Sequence, residues 1–515
     1  MKLNLLLTSD VHGYLVPTNY VNSQMDAPFS LERAATCLKA LQKKHTYTLT
    51  FDDGDYLEGS PLSFYLAKIK KESAPHELDA AFNQVHYDFG IVGNHEFNYG
   101  QSYLLNSIKE SHRQFLCANI VDSKGHHPFG KPYIVKQVGP IKVAVMGLTT
   151  QGTTKWEKSK NLKGLKFISA VTTAKKYVPL MRKQADVVIV AYHGGFERNK
   201  QGVPTEILKG ENESYQMLKD VKGIDALLTG HQHRIIADHL FGVPTIQVGH
   251  RGELVGVVTL DINANRQITD SQVKLIPTKD YTPDPQVTQA IKPTEKAVDH
   301  WLNRPLATIN GSLSFKSAPE ARINKCNFIE FIQHVQMATM GADISAASLF
   351  TNEAHGFENP ITLRNIMTNY VYPNTLSLSI INGKILKEAM EQSAKYFTYK
   401  NGKFTVSRPF VYPKPLNYCY DMYEGVNYVM NIAKPIGHRI TKLTYHGKPV
   451  RPNQKLKIVL NTYRAIGGGH YPMFNRSQIV KTSHMVMDQV IAHYLKRHPV
   501  INATNNHNFK VIYKK

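Results

Sequence analysis

At five places this 515-residue chain sets acids, imidazoles or an amide beside glycine or a turn: Asp10-x-His12, Gly54-Asp55, Gly93-Asn94-His95-Glu96, His193, and Gly230-His231-Gln232-His233. Neutral imidazole together with carboxylate oxygen suits zinc, manganese, iron or cobalt, and the two oxygens of one carboxylate can bridge two ions. Asp55 is the candidate bridge. Two divalent cations held side by side would lower the pKa of a shared water and clamp the oxygens of an in-line phosphoryl displacement. A single DxH or HxH carries little weight, since most such matches are surface or turn residues. It is the succession, each cluster following an apolar run, that points to a metal centre.

The elements that must position these residues are legible as apolar periodicity. Short β-branched or apolar runs at 3–7, 46–51, 89–92, 142–148, 187–191, 226–228, 245–248 and 256–262 predict strands. Helical spacing at 31–44, 77–85, 103–110 and 170–183 predicts helices between them, the pattern of a sheet flanked by helices. Side chains delivered at the carboxyl ends of successive strands converge on one edge of such a sheet. Just past a strand, residues two apart can face the same side, so Asp10 with His12, and His231 with His233, can each reach one ion together.

Length implies two domains. Pro283, Pro285, Pro293 and Pro305 punctuate residues 281–305, read here as a connector between a domain at 1–280 and another at 306–515, with a helix still possible over 295–302. The second half has its own helices (328–340, 383–396, 485–496) and strands (376–381, 428–432, 456–460) and is expected to be α+β.

Composition narrows the class. With 42% hydrophobic and 20% charged residues the chain is neither disordered nor fibrous. No apolar run reaches membrane-spanning length, and the apolar residues after Lys2 read as a first buried strand rather than a secretion signal. A cytoplasmic protein is therefore expected, with export as the alternative had a leader been removed. Four widely spaced cysteines indicate neither a thiolate metal site nor a disulfide scaffold. The net charge of +22 suits anionic ligands, but the lysines are scattered, so small phosphorylated molecules rather than specific nucleic acid are the expected partners. No pattern specifies an oligomeric state.

The motifs TSDVHG, DDGDYLEGSPLSFY, GNHEFNYG, AYHGGFE and GHQHR in the first half, with VYPNTL, YDMYEGVNY, KPIGHRI and NTYRAIGGG in the second, resemble the calcineurin-like metallophosphoesterases. Within these the likeness is to the group of 5′-nucleotidases and 2′,3′-cyclic-nucleotide phosphodiesterases. The resemblance implies an N-terminal four-layer α/β/β/α sandwich and a C-terminal α+β domain that binds the nucleoside. It implies that Asp10, His12, Asp55 and His233 hold one metal, and that Asp55, Asn94, His193 and His231 hold the other. His95 would stabilise charge on the phosphoryl oxygens, with Asn94 and Asn98 beside it in the catalytic set. Tyr372 and Tyr463 would sandwich the base, with Asn374 and Arg322 as further substrate contacts.

The chain also departs from that pattern. Asn98 stands where many 5′-nucleotidases place an aspartate next to the histidine, and a neutral amide orients an imidazole without stabilising its charged form. The Asn-Gly-Gly-x-Arg segment of 5′-nucleotidases is replaced by Ser348-Leu349-Phe350-Thr351-Asn352. Both departures favour a 2′,3′-cyclic-nucleotide 2′-phosphodiesterase/3′-nucleotidase over a 5′-nucleotidase or UDP-sugar hydrolase. A noncatalytic nucleotide- or RNA-binding protein is the remote alternative.

Overall fold

The computed structural model describes residues 1–21, 26–206, 208–370, 374–412 and 415–515. The chain divides into two compact units, Met1–Asp299 and His300–Lys515.

In the N-terminal unit the strands β1 (Lys2–Thr8), β2 (Thr48–Asp52), β3 (Phe89–Ile91), β4 (Gln114–Leu116), β5 (Tyr133–Val138), β6 (Ile141–Thr149), β7 (Val187–His193), β8 (Ala226–Thr229), β9 (Ile235–Leu240), β10 (Val243–Val248), β11 (Leu254–Ile262) and β12 (Ile268–Pro277) build two six-stranded sheets. Their orders are β12-β11-β1-β2-β3-β4 and β9-β10-β8-β7-β6-β5. Within the first, β1 through β4 run parallel; within the second, β6, β7, β8 and β10 do.

Alternation along β1 shows how the layers arise. Leu3, Leu5 and Leu7 pack with Val143, Val145, Val187 and Ile189 of the other sheet in one shared core. The opposite face of the second sheet, through Ala144, Met146, Val188 and Val190, meets Ala170, Ala174, Val178 and Met181 of the helix Ala170–Arg182. On the outer side of the first sheet the helix Leu31–Lys44 buries Leu31, Ala34, Ala35, Leu38 and Leu41. The result is the four-layer α/β/β/α sandwich. Strands β4, β5, β9 and β12 escape the sequence reading because they are short or lie at sheet margins, where burial alternates weakly, as in β9 and β12.

The segment read as a connector contains an 18-residue helix, Pro285–Leu302, with Pro293 inside it. Pro285 sits at its first position, where a missing N–H costs nothing. The division between the units falls within this helix, at 299/300. The C-terminal unit has a five-stranded sheet in the order Met422–Glu424, Ile344–Ala347, Lys455–Asn461, Thr375–Asn382, Ile479–Val486. Helices Asn327–Met340 and Gly383–Ala394 contribute Phe328, Ile332, Val335, Leu386 and Met390 to its core. No helix among the described residues is long and apolar enough to cross a membrane.

Candidate metal centre

Because β1, β2 and β3 are parallel, as are β7 and β8, the loops at their carboxyl ends open on the same edge of each sheet. Asp10 and His12 follow β1, Asp55 follows β2, Asn94 and His95 follow β3, His193 ends β7, and His231 and His233 follow β8. Five of these residues, Asp10, His12, Asp55, His231 and His233, have left-handed backbone with φ between 52° and 68°. Such conformations cost roughly 1–3 kcal/mol apiece in non-glycine residues and collect at functional sites. Close approach enforces the intervening glycine at Gly93, where a Cβ would lie 2.2 Å from Asp55 Oδ1.

These side chains form two groups, Asp10–His12–His233 and Asp55–His193–His231, each with ligand atoms within 4.8 Å of one another. In the first, His12 Nε2 and His233 Nε2 are 3.0 Å apart, with Asp10 Oδ1 at 3.3 Å from His233 Nε2 and 3.9 Å from His12 Nε2. His12 Nδ1 donates to the Glu58 carbonyl, 2.7 Å away, which leaves Nε2 as a lone pair in the neutral ring. In the second, His193 Nε2 lies 3.0 Å from Asp55 Oδ2 while Nδ1 donates to the Asp53 carbonyl. His231 Nδ1 is 2.7 Å from Asn94 Oδ1. The donor set fits divalent transition ions: imidazole nitrogens beside carboxylate oxygens, with the other ring nitrogen of His12 and of His193 fixed by a carbonyl.

Electrostatics separate the groups: the carboxylates are held ionised and His12 neutral, while Asp55, against burial, holds the proton of His193 well above the usual imidazole range. Burial alone would raise Asp10, yet the hydrogen bond and charge of His233, then His193, hold its carboxyl below the usual range. Asp55 is likewise held low against burial, chiefly by His193 and His95. Burial, with His233 alongside, pushes His12 down to about 3. Burial would also lower His95, but Asp55 first, then Glu58 and Asn98, raise it to about 10. Asp53 is fully buried and pushed well up by burial, and neither of its oxygens has a hydrogen-bond partner among the described residues.

Several contributors escaped sequence reasoning. Glu96 accepts from the main-chain N–H of Asp55, Tyr56, Leu57 and Gly93 at 2.5 to 3.2 Å, and so fixes the turn that presents Asp55. The His250 ring stacks on His233 at 4.8 Å between centroids, and Trp156 stacks on His231 at 5.7 Å. The GNHE motif held a signal for Glu96; His250 and Trp156 have no spacing that marks them.

Of the residues expected to hold substrate, Tyr372 lies outside the described residues. Tyr463 is half-buried, its hydroxyl accepting from the Gly469 N–H at 2.9 Å. Asn374 is half-buried too, and its carbonyl accepts from the Met487 N–H. Arg322 is 1% exposed and commits its guanidinium to Asn352 Oδ1 and to the carbonyls of Leu349 and Thr351. It braces residues 348–352 from within.

Residues 3–234 match the family model described as calcineurin-like phosphoesterase, and residues 305–476 match the 5′-nucleotidase C-terminal domain. A Staphylococcus aureus protein described as a 5′-nucleotidase, solved in complex with α-ketoglutarate, is 34% identical with a TM-score of 0.89, over 99% of this chain and 100% of that one. This chain belongs to the calcineurin-like phosphoesterases that carry a 5′-nucleotidase C-terminal domain. It is a hydrolase of phosphate ester bonds. A Haemophilus influenzae relative named 2′,3′-cyclic-nucleotide 2′-phosphodiesterase/3′-nucleotidase is 27% identical to this phosphoesterase over 96% of the chain and 84% of its own length. The Bacillus subtilis trifunctional nucleotide phosphoesterase YfkN is 26% identical over 99% of this phosphoesterase but only 39% of its own length.

Proposed function

We propose that this phosphoesterase hydrolyses 2′,3′-cyclic nucleotides to 3′-nucleotides and then releases phosphate from the 3′-nucleotide, with two divalent cations. Manganese, zinc, iron and cobalt all suit the donors. Asp10, His12, Asp55 and His233 would hold one cation; Asp55, Asn94, His193 and His231 would hold the other. When bound, the cations supply Lewis-acid polarisation of the phosphoryl oxygens and acidify water. The carrying observation is the pair of imidazole Nε2 atoms 3.0 Å apart beside the Asp10 carboxylate. His12, protonated on Nδ1, turns its Nε2 lone pair toward His233 Nε2 and the Asp10 carboxylate, so the three groups that would hold a shared cation already face one another.

In the first reaction water adds in line to phosphorus, the bond to the 2′-oxygen breaks, and that oxygen takes up a proton. In the second, the bond to the 3′-oxygen breaks in the same way. His95 donates a hydrogen bond to the phosphoryl oxygens as charge builds on them, the role its position after the Asn94 ligand allows. Tyr463, with Tyr372 and Asn374, would hold the base. Stacking tolerates any base, which suits a scavenger of mixed nucleotides, and Arg322 would serve by bracing residues 348–352. The Asn98 amide and the likeness to the Haemophilus influenzae relative support the cyclic substrate.

The Staphylococcus aureus likeness supports a second reading, hydrolysis of 5′-nucleotides. A panel of 2′,3′-cyclic AMP, 3′-AMP, 5′-AMP and UDP-glucose, each with manganese or cobalt, separates the two. Rapid release from the first pair supports the proposal, whereas turnover of 5′-AMP with none of the cyclic diester overturns it.

A further inference from the structure

The loop after β2 brings a carboxylate to His95 from the side opposite the GNHE turn in sequence. Glu58 Oε2 lies 3.0 Å from His95 Nδ1, and the same Nδ1 is 2.7 Å from Asn98 Oδ1. The Asn98 amide is itself fixed, because its Nδ2 donates to Glu157 Oε2, so its oxygen and not its nitrogen faces the imidazole. Glu157 is held in turn by Asn161 Nδ2 at 2.8 Å and the Lys158 N–H at 2.7 Å. Two acceptors therefore share one N–H donor, and only Glu58 brings a charge to it.

We propose that Glu58 is the positioning residue of His95: its carboxylate accepts from Nδ1–H and fixes the plane of the ring, so that Nε2–H is aimed at the reacting phosphate. The inference rests on the role given to His95 above. A carboxylate beside an imidazole fixes tautomer and orientation in this way wherever the pair occurs. Here the carboxylate arrives from position 58 rather than from position 98. The Glu58 side chain is separable from its main chain, whose carbonyl holds His12 and is kept by any substitution.

The test uses the full chain loaded with manganese, assayed for hydrolysis of 2′,3′-cyclic AMP and of bis(4-nitrophenyl) phosphate, with bound manganese measured alongside. Glu58→Ala lowers kcat by about 10–100-fold at unchanged KM and unchanged manganese per chain. Glu58→Gln, which keeps the shape and a neutral acceptor, loses less and controls for folding. In a His95→Ala background Glu58→Ala causes no further loss, because the two residues act as one unit. Moving the carboxylate, with E58A and N98D combined in a Glu157→Gln background that removes the repulsion at position 98, restores most of the lost kcat. Wild-type kcat in Glu58→Ala, loss of manganese, or a further loss in the His95→Ala background each overturn the inference. Full activity of His95→Ala alone would instead sink the functional reading on which it rests.

Discussion

The strand-end edge of the N-terminal unit and the core of the C-terminal unit bury their charges in opposite ways. In the C-terminal unit Asp421 pairs with Arg464 at 2.7 Å, and Lys325 sits among Glu424, Glu330, Asn506 and Asn508, each 3.0 Å away or closer. In the N-terminal unit Arg113 binds Asp52 at 2.5 Å with Asp79 at 3.5 Å, but at the strand ends the pattern changes. There the buried Asp10 and Asp55 meet imidazoles, main-chain amides and one hydroxyl. A buried carboxylate satisfied by a guanidinium is a closed unit of structure; one surrounded by neutral-capable imidazoles is built to share a cation.

The strongest way to break that contrast is Asp55→Asn. Loss of at least one bound cation and of phosphate release is expected, checked by elemental analysis and a phosphate assay; retention of both would erase the distinction between the two kinds of buried acid. His95→Ala comes next, with kcat lowered by about 10²–10⁴-fold while metal content stays intact, since His95 lies beside the donors without being one of them. In the other unit, Asp421→Ala leaves Arg464 buried without its carboxylate and destabilises that unit by about 3–5 kcal/mol in urea melts, with bound metal unchanged.

Smaller effects sharpen the comparison. Tyr463→Ala removes a stacking face worth about 1–3 kcal/mol per base, read as a rise in KM at near-constant kcat, while Tyr463→Phe keeps that face and gives up the hydrogen bond from Gly469. The smallest effect concerns Glu32, 2% exposed on the helix Leu31–Lys44, whose carboxyl is pushed up to about 7 by burial with the charge of Asp284 adding. The folded protein therefore binds this proton more tightly than the unfolded chain, whose ordinary value is 4.5. Stability it contributes at low pH is lost as pH rises from about 4.5 through about 7. Glu32→Gln should flatten that part of the profile of Tm against pH, and an unchanged slope would place the titration elsewhere.

The candidate metal edge was readable because each of its side chains follows a strand whose apolar run is unmistakable, as Leu3 to Leu7 before Asp10 or Val187 to Ala191 before His193. The residues that tune the edge were not. Glu58 acts across 37 positions of sequence on His95, and His250 reaches His233 from the end of another strand, so neither has a local period to betray it. Prolines at 283, 285, 293 and 305 limited the expected connector helix to 295–302, yet a helix tolerates proline at its start, and this one begins at Pro285 and carries Pro293 in its interior. In the C-terminal unit, position marked Arg322 as a substrate contact, and only the structure adds its burial and its three hydrogen bonds to Leu349, Thr351 and Asn352.

The central claim is most directly tested by diffraction from crystals grown with manganese, with an anomalous difference map calculated at the manganese edge. Two peaks are expected, one among Asp10, His12 and His233 and the other among Asp55, His193 and His231. A map from active protein with no peak in either group, or with manganese bound only elsewhere, would contradict the account.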